Sequence, residues 1–433
     1  MINNPIISVI MPSLNVQQYI EKAVSSVMQQ TLKNIEIICI DAGSTDGTLE
    51  VINMLMEEDS RIRLINSPVK SYGYQINYAI KEARGKYIAI VETDDYINAD
   101  MYEDLYSIAI KNAFPDIVKG NYQAFWTQKN GERVFLKREN LLDTSLYGEV
   151  ITPLEKPQIA TTDWYLWTGI YKKSMIINKA IKLSETKGAA FQDIGFLHRS
   201  SVAAKSTVYV NKAYYNYCLD REDSSSNANK GLEYSYYEYE RLLEEEWNYN
   251  EQVILYARMA TFFSGCIKDI KKQDLDNSEK KKQFNWFRDK LKVAIEEGII
   301  NEKRTNSFVW SRIFPLPDSM EAVYENEAKK TEEIKDKLGP SESVTVIIFG
   351  CGNFGYNAKK WLLKNQYRII GYSDNNEKLW GSSLDGLPIL KPDTLEINNN
   401  NYKILIANER HSEEIKRQLM DYGVKECNIA VFE

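Results

Sequence analysis

The first hundred or so residues alternate between short apolar runs and amphipathic stretches. Between the runs, apolar residues recur with helical spacing, and Asn15 is predicted to cap the first helix. Apolar strands are predicted at Ile6–Met11, Ile35–Ile40, Arg61–Asn66 and Lys86–Val91. Both faces of the last run are hydrophobic, which is typical of a strand buried in a parallel sheet. This alternation predicts β-α-β units and an α/β fold.

The pattern changes after about residue 225. From about Gly231 to Gly339, Glu, Lys, Tyr and Leu recur with helical spacing, which predicts three to five helices. Beyond them, the apolar strand Val344–Phe349 leads into a Gly-x-Gly-x-x-Gly turn, and a second strand ends at Asp374. We therefore predict three domains: a sheet domain at 1–225, a helical region at 226–340 and a small Rossmann-like α/β domain at 341–433.

Composition and charge exclude several kinds of chemistry. A net charge of −7 argues against a nucleic-acid-binding surface over the whole chain. The five cysteines have no paired spacing and only two histidines are present, so zinc sites, disulfide frameworks and histidine-assisted nucleophiles are not expected. The sequence contains neither an apolar run long enough to span a bilayer nor a signal-peptide pattern, so a cytoplasmic protein is expected. The candidate chemistry that remains for a catalytic site uses carboxylates and a metal ion.

Acidic residues follow two of the predicted strands. Glu92, Asp94 and Asp95 end the Lys86–Val91 run, and Asp41-Ala42-Gly43-Ser44-Thr45-Asp46 follows the Ile35–Ile40 run. In open α/β sheets, ligands bind beyond the carboxyl ends of the strands, where hard oxygen ligands suit a divalent cation and a diphosphate. The alternative is a loop whose acids merely cap the helix that starts near Asn98.

These motifs resemble those of the family 2 glycosyltransferases, bacterial enzymes of surface-polysaccharide synthesis with the GT-A fold. Asp41–Asp46 resembles the family's Asp-x-Gly-Ser-Thr-Asp turn, and Glu92–Asp95 resembles its Asp-x-Asp-Asp motif. Gln192-Asp193-Ile194-Gly195-Phe196 resembles a third motif, Glu-Asp-x-x-Phe. The resemblance covers about the first 225 residues and implies an inverting, metal-dependent transferase that uses Mn²⁺ or Mg²⁺.

The resemblance also implies roles for individual residues. Asp193 would be the general base that takes the proton from the acceptor hydroxyl, and Asp94 would be a direct metal ligand. The implied substrate-binding residues are Pro12, Ser13, Asn15, Asp41, Ser44, Gly73, Asn77, Glu92, Asp95, Trp164, Trp167 and Arg221. The first three would line the nucleoside pocket, and Asp41 would accept hydrogen bonds from the base or ribose. The tryptophans would build the acceptor side, and Arg221 would replace a basic residue that many members have where Cys218 stands.

Simpler explanations stay open for several of these residues. The aromatic residues equally suit a core, Asp193 would serve as a helix cap, and His198 is either a cleft residue or a packed one. The sequence departs from the family pattern at Ala42, at Glu92 and at Tyr74–Asn77, which leaves the donor sugar open.

We predict that the protein transfers a sugar from a nucleoside diphosphate donor, with UDP expected, to a hydroxyl of a surface glycan or lipid-linked acceptor. A basic and aromatic tract between Lys268 and Lys292 suits peripheral contact with the inner face of the cell membrane, although a solvated helix face explains it equally well.

The C-terminal glycine turn leaves several functions open. Gly350, Gly352, Gly355 and Asp374 form a candidate nucleotide site, and a structural role or homo-oligomer formation is the alternative for this domain. Two rivals to the transferase prediction follow. One is a bifunctional protein whose C-terminal domain modifies or senses a nucleotide or nucleotide-sugar, and the other is a non-catalytic scaffold that binds nucleotide sugars.

Overall fold

The computed structural model describes residues 4–127, 133–138, 141–219, 230–268, 270–305, 307–395, 402–408 and 411–432. The chain divides into two compact units. One contains Met1–Trp126 and Arg133–Asp318, and the other contains Thr127–Glu132 and Ser319–Glu433. The predicted domain limits at residues 225 and 340 stay a prediction.

The first unit is built on a mixed sheet. Its strands are β1 (Ile7–Ser13), β2 (Ile35–Asp41), β3 (Ile62–Asn66), β4 (Tyr87–Ile90), β5 (Tyr96–Ile97), β6 (Ile117–Thr127), β7 (Arg133–Arg138), β8 (Val150–Ile151), β9 (Gly169–Lys172) and β10 (Thr207–Cys218). Their order is β3-β2-β1-β4-β9-β6-β10-β5, with β7 beside β6 and β8 beside β10. The first four are parallel, and β9 is antiparallel to both neighbours.

Helices cover this sheet because its central strands are apolar on both faces. Every residue of β1, β2 and β4 is buried. The helices are α1 (Gln17–Met28), α2 (Thr48–Glu58), α3 (Tyr72–Glu82), α4 (Met101–Lys111), α5 (Lys173–Asn178) and α6 (Asp193–Ala203). In α1, Ile20, Val24 and Val27 recur at helical spacing and join the sheet core.

One predicted helix boundary is wrong. The residue at the N-cap of α1 is Val16, and Asn15 lies before it with a left-handed backbone φ of 52°. Asn15 instead accepts a hydrogen bond at Oδ1 from the backbone N–H of Thr45, 2.9 Å away, and so binds the turn after β2.

The predicted helical region contains α7 (Gly231–Leu243), α8 (Tyr249–Lys268), α9 (Asn277–Glu296), α10 (Ser307–Ile313) and α11 (Met320–Leu338). This confirms the expectation of three to five helices. Phe284 and Phe287 of α9 are buried against Phe263 of α8, at ring-centre distances of 5.3 and 5.6 Å. These aromatic residues therefore belong to a core and do not form the membrane-facing surface that the sequence suggested.

The second unit contains its own sheet. With α11 it includes β11 (Thr345–Phe349), α12 (Asn353–Lys364), β12 (Arg368–Ser373), β13 (Ser383–Leu384), β14 (Leu387–Leu390), β15 (Tyr402–Ile406), α13 (Ser412–Asp421) and β16 (Ile429–Val431). The strand order is β13-β14-β12-β11-β15-β16, parallel except for the β13–β14 pair. The predicted α/β fold is confirmed, while the assignment of this unit as Rossmann-like stays a prediction.

None of the described helices combines the length and the apolar character needed to cross a bilayer.

A buried carboxylate joins the starts of β1 and β2. Glu36, 2% exposed, accepts hydrogen bonds at Oε1 from Ser8 Oγ (2.5 Å) and the Arg84 backbone N–H (2.6 Å). Its Oε2 pairs with the Arg84 guanidinium at 2.7 Å and with Arg63 at 3.3 Å. Burial acts to raise the pKa of Glu36, but these hydrogen bonds and the Arg63 charge outweigh burial and lower the pKa below its usual value.

Glu36→Gln is therefore expected to lower the free energy of unfolding by about 2 kcal/mol at pH 7, because charge-assisted bonds are lost inside the sheet. Because folding lowers the pKa of Glu36, the ionised carboxylate stabilises the fold fully above the ordinary carboxyl pKa, and this stabilisation is lost as the pH falls through the folded-state pKa. The difference in unfolding free energy between the parent and Glu36→Gln should therefore shrink below about pH 4. Urea denaturation at pH 7 and below pH 4 measures this difference. Glu57→Gln, on the exposed face of α2, is the control, and equal losses in the two variants would contradict the prediction.

Candidate active site

The carboxyl ends of β1 and β2 form a hydrogen-bonded turn around Asp41. Asp41 is 1% exposed. Its Oδ2 accepts hydrogen bonds from Ser13 Oγ (2.8 Å) and Ser44 Oγ (2.6 Å), and its Oδ1 accepts from the backbone N–H groups of Gly43 (2.9 Å) and Ser44 (2.7 Å). Four donors of the chain itself fill the usual acceptor positions of a carboxylate. Asp41 thus stabilises the turn, and its contact with a base or ribose stays a prediction.

The same turn binds the loop after β1. The Asn15 backbone N–H donates to Ser44 Oγ at 2.8 Å, and Thr93 Oγ1 donates to the carbonyl of Pro12 at 2.9 Å. Pro12, Ser13 and Asn15, which are predicted to line the nucleoside pocket, therefore lie together with Asp41 and Ser44 at one edge of the sheet. The acidic segment after β4 is attached to that edge through Thr93.

The three acids after β4 differ in exposure and in partners. Glu92 and Asp94 are partly exposed, and Glu92 accepts a short hydrogen bond from the Tyr72 hydroxyl. Asp95 is 2% exposed and accepts from Tyr215 OH (2.8 Å) and the Cys218 backbone N–H (2.7 Å). Burial, together with the charge of Asp94, raises the pKa of Asp95 well above its usual range. Asp95 therefore connects the end of β4 to β10. A contact between Asp95 and the sugar stays a prediction.

The oxygen ligands here suit a Mg²⁺ or Mn²⁺ ion that is shared with a substrate. Among the described residues, no three His, Cys, Asp or Glu side chains are grouped as a complete metal site. Mg²⁺ in phosphate-transfer sites is commonly held by one or two carboxylates with phosphate oxygens and water. Asp94, partly exposed beside Glu92, fits this kind of incomplete site.

Tyr72 of α3 is the common neighbour of the acids. Burial raises the pKa of its phenol, and the charges of Glu92, Asp193 and Asp94 raise it further. The contacts of this helix show the arrangement directly: the Tyr72 hydroxyl donates to Glu92, and the backbone N–H of the next residue, Gly73, donates to Gln192, which precedes Asp193. The start of α3 therefore binds both the segment after β4 and the start of α6, which are far apart in sequence.

Asp193 is the first residue of α6, and its neighbour Gln192 fixes the start of that helix. The Gly73 backbone N–H donates to Gln192 Oε1 at 2.6 Å, and Gln192 Nε2 donates to the Thr186 carbonyl at 2.6 Å. Burial and the charge of Glu238 raise the pKa of Asp193 to about 6. A carboxylate with this pKa is ionised at neutral pH and is a stronger base than an ordinary aspartate.

The comparison with known proteins decides the family. The model described as "Glycosyl transferase family 2" matches residues 8–163. Glycosyltransferase GlyG of Streptococcus pneumoniae serotype 4 is 30% identical over 217 residues, which span 49% of this chain and 70% of that protein. The chain belongs to glycosyl transferase family 2. The prediction that it is a glycosyltransferase is confirmed.

Two further relatives of this glycosyltransferase extend the comparison. The Escherichia coli protein WfgD, named a UDP-Glc:alpha-D-GlcNAc-diphosphoundecaprenol beta-1,3-glucosyltransferase, is 32% identical over 184 residues, or 40% of this chain and 72% of that protein. The crystal structure of S. aureus TarS 1–349 in complex with UDP-GlcNAc aligns with a TM-score of 0.54 at 20% identity, covering 76% of this chain and 91% of that chain. The structural likeness to TarS supports the GT-A fold.

The C-terminal part of the chain matches a second family model, described as "C2185-like, N-terminal", over residues 342–430.

Two residues predicted to bind substrate in this glycosyltransferase lie in packed positions. Asn77 Nδ2 donates to the Leu183 carbonyl and to Glu185 Oε1, both at 2.9 Å. A Cβ on Gly73 would lie 2.0 Å from the carbonyl oxygen of Ser184. Both residues thus hold the 183–185 segment against α3, and the geometry gives no support to their predicted contact with substrate.

The predicted acceptor-side tryptophans have different surroundings. Trp167 is 6% exposed and stacks on Tyr215, with ring centres 4.0 Å apart, so it packs behind the tyrosine that binds Asp95. This position agrees with the core alternative. Trp164 is partly exposed, and its Nε1 donates to the Thr161 carbonyl at 3.0 Å.

The remaining two candidates are His198 and Arg221. His198 is buried with its ring edge against Trp247, with ring centres 4.5 Å apart, and burial lowers its pKa well below the usual value. It is a packed histidine. Arg221 lies outside the described residues.

A buried charged cluster near Asp193 was missed by the sequence analysis. Lys119 of β6 forms a short ion pair with Asp163, and Arg258 of α8 donates to the Asp163 carbonyl at 2.6 Å. Arg258 interrupts the mostly apolar run Ala257–Phe263, whereas Lys119 only follows the apolar pair Ile117–Val118. A single charge inside such a run is the signal that could have indicated it.

The C-terminal glycine turn is closed on itself. A Cβ on Gly355 would lie 1.9 Å from the Gly350 carbonyl oxygen, so this position requires glycine. Asp374 accepts at Oδ2 from the Cys351 backbone N–H and at Oδ1 from that of Asn376, both at 2.8 Å. Both carboxylate oxygens thus bind the chain itself. Nucleotide binding by Gly350, Gly352, Gly355 and Asp374 stays a prediction.

Proposed function

We propose that this glycosyltransferase inverts the anomeric configuration of its donor and depends on a divalent metal. The donor is a nucleoside diphosphate sugar, with UDP as the nucleotide, and the acceptor is a hydroxyl of a surface glycan or a lipid-linked sugar. One observation carries the proposal: the start of α3 binds the acidic segment after β4 through Tyr72 and Glu92, and it binds the residue before Asp193 through Gly73 and Gln192.

This arrangement suits a direct displacement. Asp193 takes the proton from the acceptor hydroxyl while the hydroxyl oxygen forms a bond to the anomeric carbon. The bond between that carbon and the diphosphate breaks, and its electron pair leaves with the diphosphate. A divalent cation at Asp94 would neutralise the charge that develops on the leaving group. Tyr72 keeps Glu92 in place, and the turn around Asp41 shapes the edge of the sheet where a nucleoside would lie.

The choice of UDP and of a lipid-linked acceptor is supported by WfgD, whose printed name contains a UDP-linked glucose and a diphosphoundecaprenol acceptor.

A donor screen tests the proposal. UDP-, GDP- and dTDP-sugars are incubated with the protein and with Mn²⁺ or EDTA, and diphosphate release is measured with and without a diphosphate-lipid-linked sugar acceptor. We expect release from a UDP-sugar that requires the metal and increases with acceptor. NMR of the product should show the inverted anomeric configuration. Retained configuration, or turnover that is unaffected by EDTA, would refute the corresponding part of the proposal.

A further inference from the structure

Two cations contact the same pair of aromatic rings at the edge of the first sheet. The Lys22 ammonium nitrogen lies 3.3 Å from the ring centre of Tyr96 and 5.2 Å from that of Phe125. The guanidinium carbon of Arg133 lies 5.7 and 5.3 Å from the same two centres. The cations come from α1 and β7, and the rings come from β5 and β6. Cation–π attraction thus holds two exposed, positively charged side chains close together.

These two like charges have no paired carboxylate in the described part of the chain. There, Lys22 donates no hydrogen bond, and neither Lys22 nor Arg133 forms an ion pair. Asp95 acts on Lys22 electrostatically, but Asp95 is buried and accepts its hydrogen bonds from Tyr215 and Cys218. Burial and the Arg133 charge lower the pKa of Lys22 to about 8. An anion bound to both cations would relieve their repulsion.

The two cations lie at the same edge of the sheet as the acids after β4. Tyr96 directly follows Asp95 in the sequence. Just beyond β10, the Leu219 backbone N–H donates to the Phe125 carbonyl at 2.9 Å. Strands β4 and β6 are both antiparallel to β9, so they run in the same direction and end at one edge. A substrate at this edge therefore meets positive side chains as well as the carboxylates suited to a metal ion.

The chemistry of the two cations suits a diphosphate. A diphosphate carries negative charge on two adjacent groups of acceptor oxygens, and guanidinium and ammonium groups are common donors to such oxygens. The proposed reaction contains two diphosphates, one in the donor and one in a lipid-linked acceptor. A divalent cation at Asp94 would neutralise the one that leaves with the nucleoside, and the other would need separate positive charge.

We propose that Lys22 and Arg133 form a diphosphate-binding site at this edge of the sheet, distinct from the metal ligand Asp94. The inference rests on the proposed function for the source of the diphosphate, which is the donor or the acceptor. The site gives α1 and β7 a part in substrate binding that the sequence analysis did not assign to them.

Binding of inorganic pyrophosphate in the presence of EDTA tests the site itself. Without a metal ion, the cations attract the ligand, so the parent should bind pyrophosphate, and added salt should weaken this binding. Lys22→Met and Arg133→Gln should each weaken it about tenfold, the ordinary effect of losing one charge-assisted contact. Lys22→Arg keeps the charge and should bind like the parent. Calorimetry measures the affinities.

Lys111→Met is the matched control. Lys111 is an exposed lysine at the end of α4, close in sequence to the start of β6 and so at the opposite edge of the sheet. Its replacement removes the same charge and should leave pyrophosphate binding unchanged. Melting curves show whether each variant folds. If Lys22→Met or Arg133→Gln does not fold, the other variant decides, because the two cations come from different elements.

Three outcomes of this experiment would overturn the inference. The first is a parent that does not bind pyrophosphate in EDTA. The second is unchanged affinity in the folded variants of Lys22 and Arg133 that lose the charge. The third is a loss in Lys111→Met as large as that in Lys22→Met.

Two further measurements on Lys22→Met and Arg133→Gln identify the substrate that supplies the diphosphate. A higher KM for a diphosphate-lipid-linked acceptor, with unchanged UDP binding in Mn²⁺, assigns the site to the acceptor. Weaker UDP binding in Mn²⁺ assigns it to the donor. If neither quantity changes, the cations serve no substrate and the inference fails. Failure of the proposed function looks different: the parent would release no diphosphate from any UDP-sugar in Mn²⁺, while its metal-free binding of pyrophosphate would remain measurable.

Discussion

Asp193→Asn is expected to lower the rate of sugar transfer by about a hundredfold or more, which is the usual contribution of a general base. An amide has the size of the carboxylate but cannot accept the acceptor's proton. Metal-supported binding of the donor should stay close to that of the parent, because the acids after β4 and the turn around Asp41 are unchanged. Initial rates with saturating donor, and calorimetric titration with UDP, measure the two effects separately.

The pH dependence of the transfer rate is a second test of the role of Asp193. The pKa of Asp193 is raised to about 6, so the parent's rate should fall as the pH drops through that value and the base becomes protonated. The residual rate of Asp193→Asn should lack this acid limb. Asp289→Asn, on the exposed side of α9, should retain both the rate and the limb. Transfer by Asp193→Asn at the parent rate would show that the base is another group.

The parts of the fold that could be predicted were those set by local patterns. Continuous apolar runs identified β1, β2 and β4, because strands covered on both faces need no polar positions. The acids at the carboxyl ends of β2 and β4 could also be predicted to lie near each other, because parallel strands end at a common edge. Residues whose partners come from nearby in sequence, such as Asp41 with Gly43 and Ser44, lie within the reach of such reasoning.

The remaining features depended on packing between distant segments. Aromatic residues such as Trp167 and Phe287 suit a binding surface as well as a core. Both are buried, and no local sequence pattern distinguishes a buried aromatic residue from an exposed one. The family resemblance implies that Asn77 binds substrate, whereas the hydrogen-bond partners of Asn77 lie in the 183–185 segment. The cluster of Lys119, Asp163 and Arg258 needs three separate elements to meet.

Asp94→Ala is expected to have the opposite profile to Asp193→Asn: it should lose metal-supported donor binding as well as transfer. If Asp94 holds the cation, its removal eliminates the charge neutralisation of the leaving diphosphate, worth several kcal/mol in the transition state, so we expect a loss of transfer of about a hundredfold or more. UDP binding with and without Mn²⁺ is measured by calorimetry. In the parent, Mn²⁺ should strengthen binding, and in Asp94→Ala this gain should be absent.

The neighbouring residues of Asp94 make this test specific. Glu92 is held by Tyr72 and Asp95 by Tyr215, so both acids already have partners within the chain, and the loss of one further carboxylate should leave those contacts intact. Glu103→Gln, on the exposed face of α4, removes a negative charge from a nearby helix without altering the acids after β4, and it should bind Mn²⁺ and UDP like the parent. A gain from Mn²⁺ that is as large in Asp94→Ala as in the parent would place the cation elsewhere, because a ligand that is removed without effect cannot have held the metal.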